Sequence, residues 1–419
     1  MKKTLFAIAA MLLGMTLTIS CGKESTEPEI DPQEEESNTL TPIMLTKAER
    51  EVANSANSFA FDAYRALYQD EQMFFSPLSL SLALSMTACG ADGKTAEQMT
   101  HVLGFDEYST EDVASYYKKM VEGLKTIDNK TTFESANSIW IDKKLNVKKS
   151  FLATAGEYYA AEARNVSFAD PSTLTAINKW CSNNTHGKIE KMLESLSPDC
   201  VMALINAIYF NGKWAIDFDD KTSKENFKTI SGNKVKLDMM SVSFRLTYSS
   251  VDDWAMVEIP YGNGAFSMSV ILPPENIPFK KAAEEFDSDR WASLYLHRNS
   301  ANVNFRMPEF KFEYNVKNLP AILKQLGMID AFTGAADFSK MAEIPAGDVL
   351  YIGDVKQKTF IEVNRKGTEA AATTVVEMGY ASAVMPELKN VDFIADRPFF
   401  FLIREATTNS ILFIGQKVN

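Results

Sequence analysis

From residue 47 onward, apolar residues recur every three to four positions, which is the period of a helix with one buried face. Met73–Phe75 is a short apolar run typical of a buried strand. Ser76-Pro77 then predicts a helix with proline at its first position. The following segment, Leu78–Ala88, is apolar on nearly every side, so we expect this helix to be buried. The apolar positions of the first helix are Val52, Ala56, Phe59, Ala60, Ala63, Tyr64 and Leu67.

Strand patterns occur later in the chain. Thr132–Ile141 and Thr359–Asn364 alternate apolar and polar residues, which predicts half-buried strands. Phe399–Ile403 is continuously apolar and predicts a fully buried strand. More than thirty residues separate the last two strands, whereas connections usually have about 4–6 residues. A loop of this length is usually either disordered or functional.

The first half of this long loop has the pattern of a strand. Counted alternately from Thr368, both glutamates fall on one face and the opposite face is small or apolar. A slip of one residue would bury the glutamates, so the register is specified. The pattern predicts a loop that can become a strand, although a linker rich in threonine and alanine would share this composition. The small or apolar face carries Thr368, Ala370, Ala372, Thr374, Val376 and Met378, and the other face carries Gly367, Glu369, Ala371, Thr373, Val375 and Glu377.

Residues 365–374, Arg-Lys-Gly-Thr-Glu-Ala-Ala-Ala-Thr-Thr, closely resemble the hinge of the reactive-centre loop of serpins, a family of serine protease inhibitors. Serpins insert that loop into a central sheet as a new strand. The resemblance implies an α+β multi-sheet serpin fold, with about eight or nine helices around three β-sheets and an exposed reactive-centre loop. It covers residues 45–419, which we expect to form one serpin domain. The implied hinge residues are Gly367, Thr368, Glu369, Ala370, Ala371, Ala372, Thr373 and Thr374.

Further segments carry the same resemblance. The run Phe75–Met99 resembles the serpin segment that supports the opening region of the central sheet, and Leu204–Trp214 resembles one of its strands. Val257–Gly262, Phe266–Pro274 and Asp396–Ile403 match other strands of the family. The resemblance assigns two sets of residues. The implied shutter, in the middle of the central sheet, comprises Ser76, Ser79, Asn206 and Gln357, and the implied breach, where insertion begins, comprises Trp214, Glu309 and Arg365.

The chain departs from the family pattern at two of these places. Serpins usually carry a histidine where this chain has Gln357, and glutamine can share hydrogen bonds but cannot ionise. Serpins also usually pair a glutamate before the hinge with a lysine on a neighbouring strand. Here Arg365 and Glu309 stand at these positions, so the charges are reversed. We predict a swapped ion pair between them; the alternative is two solvated charges.

The resemblance implies a covalent trap for a serine protease. The cut bond in inhibitory relatives usually comes after the residue fourteen past the hinge glycine, which gives Ala381, with Ser382 after it. Alanine suits the small specificity pocket of an elastase-like enzyme, and Tyr380 would instead suit a chymotrypsin-like one. No lysine or arginine lies between Lys366 and Lys389, which argues against trypsin-like targets. The expected inhibitor is a monomer without a cofactor or a metal.

Other functions fit the sequence less well. The chain has no Gly-x-Ser-x-Gly motif and only three histidines, so we expect no enzyme. The segment Gly90–Thr95 lacks the first glycine and the preceding strand of a phosphate loop, and we expect Gly90 to cap a helix instead. The serious rival is a non-inhibitory serpin that acts as a binding or chaperone module. A net charge of −12 argues against binding to nucleic acid.

The N-terminus has the features of an export signal. Residues 1–20 combine a basic start with an apolar run too short to span a membrane, and they end before Cys21. This resembles a bacterial lipoprotein signal with lipidation at Cys21; an ordinary secretory signal is the alternative. Residues 21–44 are rich in acidic residues and predict a flexible tether. Lys23-Glu24 is reminiscent of lipoproteins exported to the surface in Bacteroidota. We therefore expect anchoring to an outer membrane or a cell surface through lipid alone.

Overall fold

The structure, a computed structural model, describes residues 38–197, 200–368 and 388–419. These residues contain nine α-helices, most of which precede the long strands of the second half of the chain. In the described part of the chain, no helix is both long enough and apolar enough to cross a membrane. The helices are α1 (Lys47–Leu67), α2 (Pro77–Ala88), α3 (Gly93–Leu103), α4 (Thr110–Leu124), α5 (Lys149–Tyr159), α6 (Pro171–Asn183), α7 (Phe279–Glu285), α8 (Ser288–Leu296) and α9 (Leu319–Leu326).

The strands form one nine-stranded sheet, one six-stranded sheet and one pair of short strands. The nine-stranded sheet contains β1 (Met73–Phe75), β6 (Ser223–Lys228), β7 (Lys234–Val251), β8 (Trp254–Tyr261), β9 (Phe266–Leu272), β10 (Asn299–Pro308), β15 (Asn390–Ile394), β16 (Phe399–Glu405) and β17 (Ile411–Lys417). The six-stranded sheet contains β2 (Thr131–Asp142), β4 (Glu162–Val166), β5 (Met202–Lys213), β11 (Phe310–Asn315), β13 (Asp354–Asn364) and β14 (Gly367–Thr368). The short pair is β3 (Asn146–Val147) with β12 (Ala342–Glu343).

The two large sheets face each other across the main hydrophobic core. Phe413 on β17 stacks on Phe74 of β1 with ring centroids 4.8 Å apart. The same ring meets Phe133 of β2 and Phe210 of β5 edge-on, at 6.1 and 6.0 Å. All four side chains are buried. The six-stranded sheet therefore has one face fixed against a packed aromatic layer.

The strand order of the six-stranded sheet is β11-β13-β14-β5-β2-β4. Strands β13 and β5 are parallel and pair directly only where Asp354–Lys358 lies beside Ala203–Ala207. Nearer the other end of the sheet, β14 lies between them and is antiparallel to both. The two central strands are thus joined at one end of the sheet and separated by a third strand at the other.

Helix α2 lies beneath the place where these strands meet. Ser76 begins the helix, its hydroxyl accepts the backbone N–H of Ser79 at 3.3 Å, and Pro77 is the first helical residue. The residues from Pro77 to Thr87 are buried, and the helix packs against β5, β2 and β17. The predicted buried helix is confirmed, because a side chain on any face of α2 meets either a sheet or another helix.

Gly90 has a different role from the one expected. Helix α2 ends at Ala88 with Cys89 as its capping residue, and Gly90 does not adopt the left-handed conformation of a glycine cap. A Cβ atom at Gly90 would lie 2.7 Å from Cβ of Met341 and 3.1 Å from the ring of Phe151. The glycine is required because two neighbouring segments approach its backbone closely.

Two glycine substitutions distinguish close packing from conformational freedom. A Cβ at Gly415 in β17 would lie 2.6 Å from the Met73 carbonyl oxygen and 2.7 Å from the Phe401 ring, so Gly415→Ala should cost about 1–3 kcal/mol of unfolding free energy. Gly156 is exposed within α5 and a Cβ there would meet nothing, so Gly156→Ala should add about 0.5–1 kcal/mol. Urea unfolding of both variants checks this. A shift of the two midpoints in the same direction would contradict the packing.

Candidate functional site

The site lies where β14 begins between β13 and β5. Gly367 and Thr368 pair with Asn364 and Val363 on one side, and with Lys213 and Gly212 on the other. Gly367 has a φ of +137°, and a Cβ there would lie 2.3 Å from the Gly212 carbonyl oxygen, so only glycine fits. Thr368 is 2% exposed. The first two residues of the predicted hinge therefore form a short strand inside the sheet.

An aromatic pair holds this end of the sheet. The ring of Trp214 stacks on Tyr261, with centroids 4.3 Å apart and an angle of 15° between the planes. The indole N–H of Trp214 donates to the Asn364 carbonyl oxygen at 2.8 Å. The Tyr261 hydroxyl lies 2.7 Å from the Thr368 hydroxyl. Because Trp214 contacts the residue before the turn and Tyr261 contacts the residue after it, the pair fixes both sides of the β13–β14 turn.

Sequence reasoning missed Tyr261 as a member of the site. It was recognised only as part of the strand around Val257–Gly262. The alternation of that strand places Tyr261 on the same face as Val257 and Ile259, which could have predicted burial but not the contact with Thr368. Burial raises the pKa of the Tyr261 phenol well above its usual range, and the hydrogen bond with Thr368 opposes the shift. The phenol thus stays neutral and can donate to Thr368.

Glu309 and Arg365 are neighbours, but they do not form the predicted ion pair. The Glu309 carboxylate accepts the backbone N–H of Arg365 at 3.0 Å. The guanidinium of Arg365 donates instead to the Asp220 carbonyl oxygen at 2.7 Å. The prediction was wrong about the group involved, because sequence shows which residues are near the turn but not which atoms of the backbone need a partner. Glu309 satisfies a main-chain donor at the turn.

A row of three amides crosses the middle of the sheet. Asn137, Asn206 and Gln357 lie at the same level on β2, β5 and β13. The Asn206 side chain donates to the Asn137 side chain at 2.6 Å and accepts from the Gln357 amide at 3.2 Å. All three residues are buried. This amide row joins the three central strands through their side chains as well as their backbones.

Helix α2 provides further partners for the row. The Gln357 amide donates to the Ser76 carbonyl oxygen and its oxygen accepts the Ser76 N–H, both at 2.9 Å. Asn206 donates to the Ser79 hydroxyl, which also contacts the Ser135 hydroxyl of β2. The four shutter residues implied by the sequence therefore meet in one network. Asn137 was missed, although a polar residue on an inward position of the strand Thr132–Ile141 was a usable signal.

Several sequence predictions concern residues outside the described part of the chain. They are the reactive-bond residues Ala381 and Ser382 with the alternative Tyr380, the hinge residues Glu369, Ala370, Ala371, Ala372, Thr373 and Thr374, and the lipidation residue Cys21. These stay predictions.

The described residues include three free cysteines, Cys89, Cys181 and Cys200. Burial raises the pKa of all three thiols, to about 12 for Cys181 and about 11 for Cys200. They are therefore neutral and poorly nucleophilic at neutral pH. Within residues 38–197, 200–368 and 388–419, no group of three or more His, Cys, Asp or Glu side chains is placed to hold a metal ion.

The profile of one protein family, described as serpin (serine protease inhibitor), matches residues 54–419. Relatives in this family come from distant organisms. An uncharacterized serpin-like protein of Methanosarcina acetivorans is 32% identical over 377 residues, which cover 87% of both chains. Iripin-2 of the tick Ixodes ricinus is 32% identical over 389 residues, which cover 90% of this chain and 96% of the relative.

Solved structures show the same architecture. The thermophilic serpin Tengpin in its native state superposes with a TM-score of 0.79 at 33% identity, over 91% of this chain and 97% of Tengpin. Human thyroxine-binding globulin, solved with its ligand, superposes with a TM-score of 0.78 at 26% identity, over 89% of this chain and 99% of the globulin. The predicted serpin fold, with its helices around three sheets, is confirmed.

The hydroxyl contact between Tyr261 and Thr368 can be tested by a double-mutant cycle. Tyr261→Phe should lower the unfolding free energy by about 1–3 kcal/mol, because it leaves the buried Thr368 hydroxyl without a partner. Adding Thr368→Val should recover part of the loss, because both polar groups are then absent. Urea unfolding of the two single variants and the double variant measures the coupling. Strictly additive losses would show that the two hydroxyls do not interact.

Proposed function

Because the chain belongs to the serpin family, we propose that it is an irreversible inhibitor of serine proteases that traps its target by loop insertion. Members of this family are generally protease inhibitors rather than enzymes. The target serine attacks the reactive bond and forms an acyl-enzyme. The freed loop then inserts into the six-stranded sheet before water can hydrolyse the acyl bond. The attached protease is carried along and its oxyanion hole is distorted, so deacylation stops.

The position of β14 is the observation that carries this proposal. Gly367 and Thr368 already pair with both β13 and β5, in the orientation that an inserting strand would need. Beyond them, the described ladder between β13 and β5 resumes only at Lys358 and Ala207. The backbone groups between these points face the line along which a longer strand would grow. Such a strand would complete the ladder on both sides.

The register of β14 specifies where each later residue would lie. Extending the pairing of Thr368 with Val363 and Gly212 puts Ala370 level with Ile361 and Phe210, and Ala372 level with Thr359 and Ile208. Thr374 would then reach the level of the amide row formed by Asn137, Asn206 and Gln357. A small side chain at each of these positions could enter the packed face of the sheet without a clash. Insertion would separate Gln357 from Asn206 at the fourth inward position.

We further propose that the reactive bond joins Ala381 to Ser382 and that the target is elastase-like. An alanine before the bond fits a small specificity pocket. Tyr380 is the alternative position and would favour a chymotrypsin-like enzyme. The absence of lysine and arginine between Lys366 and Lys389 supports either target over a trypsin-like one.

A non-inhibitory role as a binding module is the second candidate. The likeness to human thyroxine-binding globulin, at 26% identity, favours it, because that family member is solved as a complex with a small ligand. The two candidates differ in the outcome of cleavage. A binding module would be cut without forming a covalent complex, and its thermal stability would not rise afterwards.

Incubation with a slight excess of pancreatic elastase tests the inhibitor proposal. The expected result is an SDS-stable complex, with release of the segment that begins at Ser382, read by denaturing gel and intact mass. A cleaved chain without complex and without a rise in melting temperature would support the binding module and refute the inhibitor. Formation of the complex with cleavage at another position would show that the reactive bond is not the one between Ala381 and Ser382.

A matched pair of variants tests the insertion register. Thr374→Arg would place a charge at the amide row inside the sheet, so hydrolysis of the acyl-enzyme should outrun insertion. The yield of elastase complex should then fall by about tenfold or more. Thr373→Arg points the same side chain to the opposite face and should leave the yield of complex within about twofold. The ratio of complex to cleaved chain on a gel measures both. Equal yields from the two variants would contradict the register.

We also propose that the chain is exported and anchored to a bacterial outer membrane or cell surface by lipid on Cys21. The apolar leader, the cysteine at its end and the acidic segment after it support this. Expression in a Gram-negative host should give a mature N-terminus at Cys21 that carries a diacylglyceryl group, seen by mass spectrometry. Cys21→Ser should abolish the modification. An unmodified N-terminus at another residue in the wild-type chain would favour an ordinary secretory signal.

A further inference from the structure

A cavity of about 460 Å³ opens beside the β13–β14 turn. It is bounded by the end of β5, by the segment after β5, and by the turn itself. This volume lies within the range of about 300–1,000 Å³ that is typical of small-molecule sites. The cavity is separate from the amide row, and none of the shutter residues lines it.

The lining of the cavity is basic, although the whole chain is acidic. Four basic side chains and two acidic ones line it, in a chain with a net charge of −12. The ammonium groups of Lys130, Lys213 and Lys366 have no hydrogen bond or ion pair with any residue that the structure describes. The guanidinium of Arg365 donates only to a backbone carbonyl oxygen there, that of Asp220. The carboxylates of Asp217 and Asp220 also line the cavity. The cations therefore outnumber the carboxylates by four to two, and none of the four forms an ion pair with a residue that the structure describes.

The floor of the cavity is apolar and preformed. It consists of Trp214, Ile216 and Phe218, which are 7%, 8% and 7% exposed. Trp214 is held by its stack on Tyr261, and the backbone N–H of Gly262 donates to the Lys213 carbonyl oxygen at 2.8 Å. The rings therefore keep their places when the cavity is empty. An apolar ligand would gain contact area without first ordering its site.

We infer that this cavity binds a small organic anion, in which a carboxylate, sulfate or sulfonate group is attached to an apolar ring or chain. The lysine and arginine groups supply charge-assisted hydrogen bonds to the anion, and the aromatic floor takes the apolar part. Neither the anionic group nor the apolar part alone would bind tightly. An inorganic anion would leave the floor in contact with water, and a neutral ring would leave the cations unpaired.

Binding at this cavity would act on the hinge. Arg365 and Lys366 form the turn that leads into β14, and Lys213 pairs with Gly367. The turn is fixed on its other side by the Asn364 side chain, which accepts the Lys366 N–H at 2.9 Å. A ligand that holds these cations stabilises the β13–β14 turn in the arrangement that the structure shows. The melting temperature of the uncleaved chain rises with ligand concentration as a result.

Titration calorimetry with naphthalene-1-sulfonate tests the site, and naphthalene-1-sulfonamide and inorganic sulfate serve as the neutral and the purely ionic probes. The sulfonate should bind with one-to-one stoichiometry, at least about tenfold more tightly than either of the other probes. Its affinity should fall as sodium chloride is raised from about 20 to about 300 mM, because the cations are partly exposed. The melting temperature of the uncleaved protein should rise with the sulfonate.

A matched pair of double variants localises the binding. Lys130→Gln with Lys366→Gln removes two cations from the cavity and should weaken the sulfonate by about tenfold. Lys144→Gln with Lys179→Gln removes two exposed lysines elsewhere and should change the affinity by less than about twofold. All these measurements use the uncleaved chain without a protease, so they are independent of the inhibitor proposal.

Three results would overturn the inference. They are an equal affinity of the sulfonate for both double variants, an equal affinity of the sulfonamide for the wild-type chain, and an affinity that does not change with salt. Melting of the two double variants without ligand serves as the control for folding. The four lysines are at least partly exposed, so we expect little change in either variant.

Discussion

The backbone of two parallel strands in the centre of a sheet must find hydrogen-bond partners along its whole length, and this constraint organises the structure. Strands β13 and β5 satisfy each other where Asp354–Lys358 lies beside Ala203–Ala207. Towards the other end they diverge, and Gly367 and Thr368 of β14 supply partners to both strands there. Orphaned peptide groups in a buried sheet are costly. Among the described residues, the direct ladder between β13 and β5 therefore stops at Lys358 and Ala207, and β14 begins to replace it from the other end.

Different interactions hold β13 and β5 at the hinge, where β14 begins, and at the amide row, where the two strands pair directly. At the hinge end, stacked aromatic rings position backbone and hydroxyl groups, and contact area supplies much of the stability. At the amide row, Asn137, Asn206 and Gln357 exchange hydrogen bonds that are highly directional. The second kind of contact is lost completely once the strands move apart by an ångström or two. The hinge end tolerates small movements, whereas the amide row is either intact or broken.

Periodic patterns predicted the elements of the fold, and the motif resemblance predicted which residues meet. Helix α2 and strand β13 were identifiable because apolar periodicity reflects burial directly. The chemistry of individual contacts was not identifiable. Glu309 was expected to meet the guanidinium of Arg365 but binds its backbone N–H, and Tyr261 comes to Thr368 from the other sheet. Such contacts depend on distances of a few tenths of an ångström between segments remote in sequence, which no local pattern encodes.

The ladder between β13 and β5 also has a mechanical consequence. A strand that grows from β14 would separate these two strands from one end, beginning at the pair Lys358 and Ala207. The backbone hydrogen bonds between β13 and β5 would then break one after another. Each broken bond could be replaced by a bond to the new strand before the next one has to break. Pulling the same two strands past each other along their length would instead stretch all of these hydrogen bonds at once. The sheet should therefore separate readily when a strand enters from the β14 end, and it should resist sliding of β13 past β5.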